Sequence, residues 1–186
     1  TLVYTRTGKL LESKAIIEET LIEIQQAHDE REECAFLHNL GGVQYKLGEN
    51  TQALVSLTKA YNISKRLEAK SLHAAITKNI GVIYRLLGDY EQSLRYYSEA
   101  LQELESLGMF GHMAALLGNI GNLYASMGNS HRALDYMKRS IQLHEKLGMM
   151  SDVAIVMGNI GNIQRELGNY ENALESFQKA LELNQE

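Results

Sequence analysis

Apolar residues recur every three to four positions along almost the whole chain, as in Leu54, Leu57 and Tyr61, or Leu174, Phe177 and Leu181. That period predicts amphipathic α-helices. Ala, Leu, Glu, Lys and Gln are abundant and proline is absent, so nothing in the composition opposes helix. A second, longer period of 40 residues lies over the first, and glycine exposes it. Gly41, Gly81, Gly121 and Gly161 form one series; Gly8, Gly48, Gly88, Gly128 and Gly168 form another. Asn39, Asn79, Asn119 and Asn159 keep the same spacing. So do the small residues Ala53, Ser93, Ala133 and Ala173, and the large ones Leu57, Tyr97, Met137 and Phe177.

Four units follow, at 37–76, 77–116, 117–156 and an incomplete 157–186. Residues 1–36 read as a weaker partial unit in which Gly8, Ser13, Ile17 and Thr20 hold the repeat positions. Each unit predicts two antiparallel helices. First helices fall near 31–46, 71–86, 111–126 and 151–166; second helices near 10–27, 51–66, 91–106, 131–146 and 171–184. The Gly48 series should end the first helices, where a positive φ is cheapest for glycine. Asp89, Asn129 and Asn169 stand where they can cap the second helices.

Gly41 and its equivalents lie inside helices, where glycine costs about 1 kcal/mol against alanine. A cost repeated in every unit implies close approach of the paired helix, with Ala53- and Ala60-type residues as the facing surface. The large residue at 57, 97, 137 and 177 is then expected to fill the space between units. A lone hairpin cannot bury both its faces, so the expected architecture is all-α: a stack of helix pairs with stability passed between neighbours.

Composition removes several functional classes. A single cysteine, Cys34, excludes an intrachain disulfide framework and favours the cytoplasm. The net charge of −5 argues against a nucleic-acid partner. No apolar run reaches the roughly 18–20 residues that span a bilayer, so membrane insertion is not expected. Enzyme signatures are missing. The GNIGN stretches at 118–122 and 158–162 are mid-helix and follow no strand, so they do not cradle phosphate. Cys34 and His38 share a helix face, but two ligands do not make a zinc site. No catalytic residue, metal or cofactor is expected. The tyrosines at 84, 90, 96, 97, 124 and 170 read as repeat packing and do not interleave with basic residues as a base-stacking platform would.

The pattern N-L/I-G, then L-G-D/N-Y-x-x-A-L, then a bulky residue and A-L resembles the tetratricopeptide repeat family. NIGVIYRLLGDYEQSLRYYSEAL and NIGNIQRELGNYENALESFQKAL carry it best. The period of 40 and the missing proline match the long-helix subtype of cell-polarity scaffolds, kinesin light chains and bacterial signalling proteins. The resemblance implies a right-handed superhelical solenoid whose first helices line a concave groove for a peptide or protein segment. The family positions that face such a groove are His38, Tyr45, Lys78, Arg85 and Arg165 here, a mildly basic set that suits an acidic ligand. The chaperone-tail clamp of some members is not expected, because Val82 stands where an asparagine is needed.

Along that face, Asn39, Asn79, Asn119 and Asn159 share one helical position, and Asn122 and Asn162 stand three residues on. An amide both donates and accepts, so it can grip a peptide backbone. At about 3.3 Å per residue, roughly three ligand residues would span one repeat. The alternative is that these amides bond the carbonyls of a neighbouring repeat. The functional expectation is a non-catalytic interaction scaffold; a regulatory array within a larger signalling enzyme is the other reading. The chain opens inside what would be a first helix and stops with a second, which suggests a piece of a longer protein. Bare apolar ends suggest homo-oligomers.

Overall fold

The computed structural model describes residues 2–184, with side chains from residue 7 onward. In chain order the helices are α1 (Leu2–Ala27), α2 (Glu30–Lys46), α3 (Asn50–Arg66), α4 (Lys70–Leu86) and α5 (Tyr90–Ser106), followed by α6 (Phe110–Ser126), α7 (Ser130–Lys146), α8 (Met150–Glu166) and α9 (Tyr170–Leu183). No strand occurs among the described residues. The fold is all-α, built of antiparallel helix pairs: α2–α3, α4–α5, α6–α7 and α8–α9. The chain divides within α5 into two compact units, Thr1–Glu103 and Leu104–Glu186. The first unit is centred on Leu37, Leu40, Leu57, Ile63, Ile76, Ile80 and Ile83. The second is centred on Met137, Ile141, Val153, Val156, Ile160 and Ile163.

The turns inside the pairs are as the glycine period predicts. Gly48, Gly88, Gly128 and Gly168 have φ of +80°, +82°, +75° and +78°. Behind each, the next residue's N–H closes on a carbonyl five residues back: Glu49 on Gln44, Asp89 on Tyr84, Asn129 on Tyr124 and Asn169 on Gln164. Asp89 and Asn129 cap the following helices, accepting from the N–H groups of Gln92 and Arg132 at 3.1 Å. Asn169 does not cap through its side chain. Glu49 also makes no cap and instead takes the Lys14 ammonium at 2.5 Å.

The turn expected at Gly8 does not form. α1 runs unbroken from Leu2 to Ala27, and Gly8 is absent from the positive-φ positions. Lys9 follows it where the other turns have Glu, Asp or Asn, so the capping group is lacking.

Close approach at the mid-helix glycines is direct. A Cβ at Gly41 would lie 2.6 Å from Leu57 Cγ, at Gly81 2.5 Å from Tyr97 Cδ1, at Gly121 2.7 Å from Met137 Cγ and at Gly161 2.7 Å from Phe177 Cε1. This corrects the expected place of the large residues. Each presses on the glycine of its own helix pair rather than serving only as filler between pairs. The glycine is what makes room for it.

Candidate functional site

In the first unit the expected site residues meet in two places. His38 on α2 and Asn79 on α4 are joined by a 2.9 Å hydrogen bond between Nε2 and Nδ2. An amide nitrogen can only donate, so His38 Nε2 accepts. Beside them stands Lys78, half-buried. Burial holds the Lys78 ammonium below its ordinary range, and burial followed by the Lys78 charge holds His38 down as well. Lys78 forms no ion pair among the described residues. The Asn79 amide is thus used inside the protein, but by a side chain rather than a carbonyl. Asn39 is exposed. Tyr45 and Arg85 both lie near the buried Tyr97, whose phenol burial pushes up to about 12 against the pull of the Arg85 guanidinium.

In the second unit the same face is different. Asn119 and Asn122 lie on α6, Asn159 and Asn162 on α8, and α6 and α8 are in contact. Asn119, Asn122 and Asn159 are half-buried, and Asn162 and Arg165 are exposed. No hydrogen bond engages these four side-chain amides among the described residues. For Asn159 the reason for the contrast lies one repeat back. Asn79 finds His38, whereas the equivalent partner of Asn159 is Gly118, which has no side chain to offer.

Sequence reasoning missed one polar centre. His73, at the start of α4, joins three helices. Its Nδ1 meets Ser64 Oγ of α3 at 2.9 Å and its Nε2 meets Glu99 Oε1 of α5 at 3.3 Å. Tyr61 donates its phenol to the same Glu99 oxygen at 2.7 Å and lies 4.5 Å from the His73 ring. Ser64 is fully buried and its hydroxyl donates to the Tyr61 carbonyl at 2.9 Å. It therefore presents no nucleophile to solvent. The cluster borders a cleft of about 360 Å³ that Lys65, Glu68, Lys70 and Glu103 also line. Its members share no repeat spacing, so no period marks them.

Tyr84 and Tyr96 stack, Tyr124 stacks on Tyr136 and Tyr97 is buried, as packing residues should be, whereas Tyr170 is 70% exposed and does not fit the packing reading. Arg95 lies over Tyr96 at 4.7 Å, Arg132 over Tyr124 at 5.4 Å and Arg139 over Tyr136 at 5.2 Å. Each is a cation–π pair between neighbouring side chains. No group of three or more His, Cys, Asp or Glu is placed to hold a metal among the described residues. No described helix is long and apolar enough to cross a membrane.

The helix pairs and the repeating glycine contacts define a repeat protein of antiparallel helical hairpins. The chain belongs to the tetratricopeptide repeat family, whose model matches residues 32–106, 68–146 and 112–186. Arrays of this family are protein-interaction scaffolds. No curated protein matches the sequence. Among solved structures the chain is similar to BtubC (BKLC) from P. vanneervenii, with 20% identity over 97% of this chain and 75% of that one and a TM-score of 0.80. It is similar to a Rap protein complexed with Competence and Sporulation Factor, with 17% identity over 98% of this chain and 51% of that one and a TM-score of 0.85. It is also similar to the Rap conjugation gene regulator of the plasmid pLS20 in complex with the Phr* peptide. There identity is 16% over 96% of this chain and 49% of that one, with a TM-score of 0.82. The chain spans about half the length of these two Rap proteins. At such identities the likeness concerns the fold.

Proposed function

We propose that the chain is a non-catalytic scaffold that captures an extended protein segment on the face of its first helices. The amides of Asn119, Asn122, Asn159 and Asn162 carry this reading: they share one face, three are half-buried, and none is engaged among the described residues. None of these amides is sealed from solvent, so each stays open to a ligand. A peptide backbone supplies both a donor and an acceptor for such an amide. Two of the similar structures hold a peptide or factor, by their descriptions. In the first unit, taken by itself, the half-buried Lys78, which forms no ion pair among the described residues, suits an acidic group. The setting we propose is the cytoplasm, where Cys34, buried and donating to the Ala60 carbonyl, stays a thiol.

The test is selection of binders from a random peptide display library, followed by titration of one selected peptide. Asn119→Ala with Asn159→Ala should weaken that peptide by about 1–3 kcal/mol. Unchanged affinity in a folded double variant places the ligand elsewhere.

We also propose that the chain self-associates through α9, which exposes Leu174, Phe177 and Leu181. The equivalents of the last two in α7, Met137 and Ile141, are buried. Sedimentation that reports only monomer at high concentration contradicts this.

A further inference from the structure

The second unit contains two turns that lead from a second helix into the next first helix. They read Leu107-Gly108-Met109-Phe110 and Leu147-Gly148-Met149-Met150. Leu107, Phe110, Leu147 and Met150 are 38%, 50%, 43% and 37% exposed. The two turns touch: a Cβ at Gly111 would lie 3.2 Å from Met149 Sδ and 4.0 Å from Leu147 Cδ1. Apolar surface therefore runs from one turn to the next, with Met113 also half-buried nearby.

Nothing in the turn itself demands this. The equivalent turn of the first unit reads Leu67-Glu68-Ala69-Lys70, and the one before it ends in Asp29 and Glu30. Asp29 caps α2 by accepting from the Arg31 and Glu32 N–H groups, and Glu30 pairs with Arg66 at 2.7 Å. In the second unit, Met109 and Met149 hold the N-cap positions of α6 and α8, and neither caps through its side chain. The cap position favours Ser, Asp or Asn. Both helices forgo that stabilisation and place a flexible thioether there, beside exposed leucine and phenylalanine. A contiguous exposed apolar patch on a folded protein marks an interaction surface.

The rim is acidic. Glu105, Glu145 and Asp152 flank the turns, against one ammonium, Lys146. We propose that this methionine-rich edge docks the apolar face of a basic amphipathic helix from a partner protein. Methionine adapts to varied apolar surfaces. A helix presents anchors at three- to four-residue spacing, and Lys or Arg beside them meets the rim carboxylates. Charge decides the occupant: a second copy would bring the same acidic rim against this one, and an anionic membrane would be repelled. The edge does not include Asn119 or Asn159, so it stands apart from the proposed peptide face.

The experiment titrates the whole chain with a fluorescently labelled amphipathic helical peptide of leucine and lysine, and with its counterpart carrying glutamate for lysine. The leucine–lysine peptide binds and the leucine–glutamate peptide does not. Phe110→Ser with Met150→Ser weakens binding at least about tenfold, as loss of apolar anchors does, while Asn119→Ala with Asn159→Ala leaves it unchanged. Leu107→Ser with Leu147→Ser serves as a second pair if the first loses its helical circular dichroism. Equal binding of both peptides, or binding unaffected by either serine pair, overturns the proposal. So does a concentration-dependent dimer, or adsorption to phosphatidylserine vesicles, that the serine pairs abolish.

Discussion

Ser56 Oγ donates a 2.8 Å hydrogen bond to Gln44 Oε1, tying α3 to α2 at a buried position. Forty residues on, the same two positions hold Tyr84 and Tyr96, stacked at 5.4 Å with 11° between planes. The next pair, Tyr124 and Tyr136, stacks at 5.3 Å and 16°. The last, Gln164 and Ser176, returns to a hydrogen bond of 2.7 Å. One contact point is thus filled either by two rings or by an amide and a hydroxyl, and never by one of each.

Mixed pairs should be the costly ones. Tyr84→Gln alone removes a ring and leaves an amide facing Tyr96. Adding Tyr96→Ser recreates the Gln44–Ser56 pair and should recover part of the loss. We expect a coupling of about 0.5–3 kcal/mol between the two sites in urea unfolding. Strict additivity would show that the two positions do not act as a unit.

Glycine to alanine should change sign with position. At Gly81 the added methyl meets the Tyr97 ring, and destabilisation of about 1–3 kcal/mol is expected. At Gly42 and Gly158, both helical, a Cβ meets nothing within 4 Å. There alanine should stabilise by about 0.4–1 kcal/mol. Thermal melts of the three variants decide it; a common sign would refute the steric account.

Gly108 and Gly148 end second helices with φ of +64° and +70°, but the equivalent positions in the first unit are His28 at +57° and Glu68 at +50°. A side chain in the left-handed region costs about 1–2 kcal/mol. Glu68→Gly should therefore raise the unfolding midpoint, because the exposed Glu68 contributes little to set against the relief. A lowered midpoint would show that Glu68 is needed at the cleft it lines.

Acid should weaken the fold through His144. Its ring is buried and Nδ1 has no hydrogen-bond partner among the described residues. Burial holds its pKa below the ordinary 6.5, and the Asp152 charge opposes that only in part. The unfolded chain therefore binds the proton first. The histidine's contribution is complete above pH about 6.5 and is lost as pH falls below it. His38, held low by burial and Lys78, acts in the same direction. His144→Leu, the residue at the equivalent position 104, should flatten the fall in urea stability between pH about 7.5 and about 5. An unaltered slope would contradict this.

Much of the fold was legible because sterics wrote it periodically. A turn that needs positive φ recurs as Gly48, Gly88, Gly128 and Gly168, and a helix contact without room for Cβ recurs as Gly41, Gly81, Gly121 and Gly161. The Gly8 turn failed because a glycine permits a turn without compelling one. The His73 centre was illegible for a different reason. Ser64, His73 and Glu99 come from three helices at spacings no other repeat copies, so only packing brings them together. On the proposed peptide face, the asparagine ladder was visible, but the difference between Asn79 and Asn159 depends on His38 against Gly118, which matters only once α2 lies beside α4.

The central claim is that the asparagine face of the second unit grips a protein segment, and side-chain amide NMR tests it most directly. On titration with a peptide selected from the display library, the NH₂ signals of Asn119, Asn122, Asn159 and Asn162 should shift together and saturate, while that of Asn79, held by His38, should move least. Saturable binding that leaves those four amides in place would contradict the account.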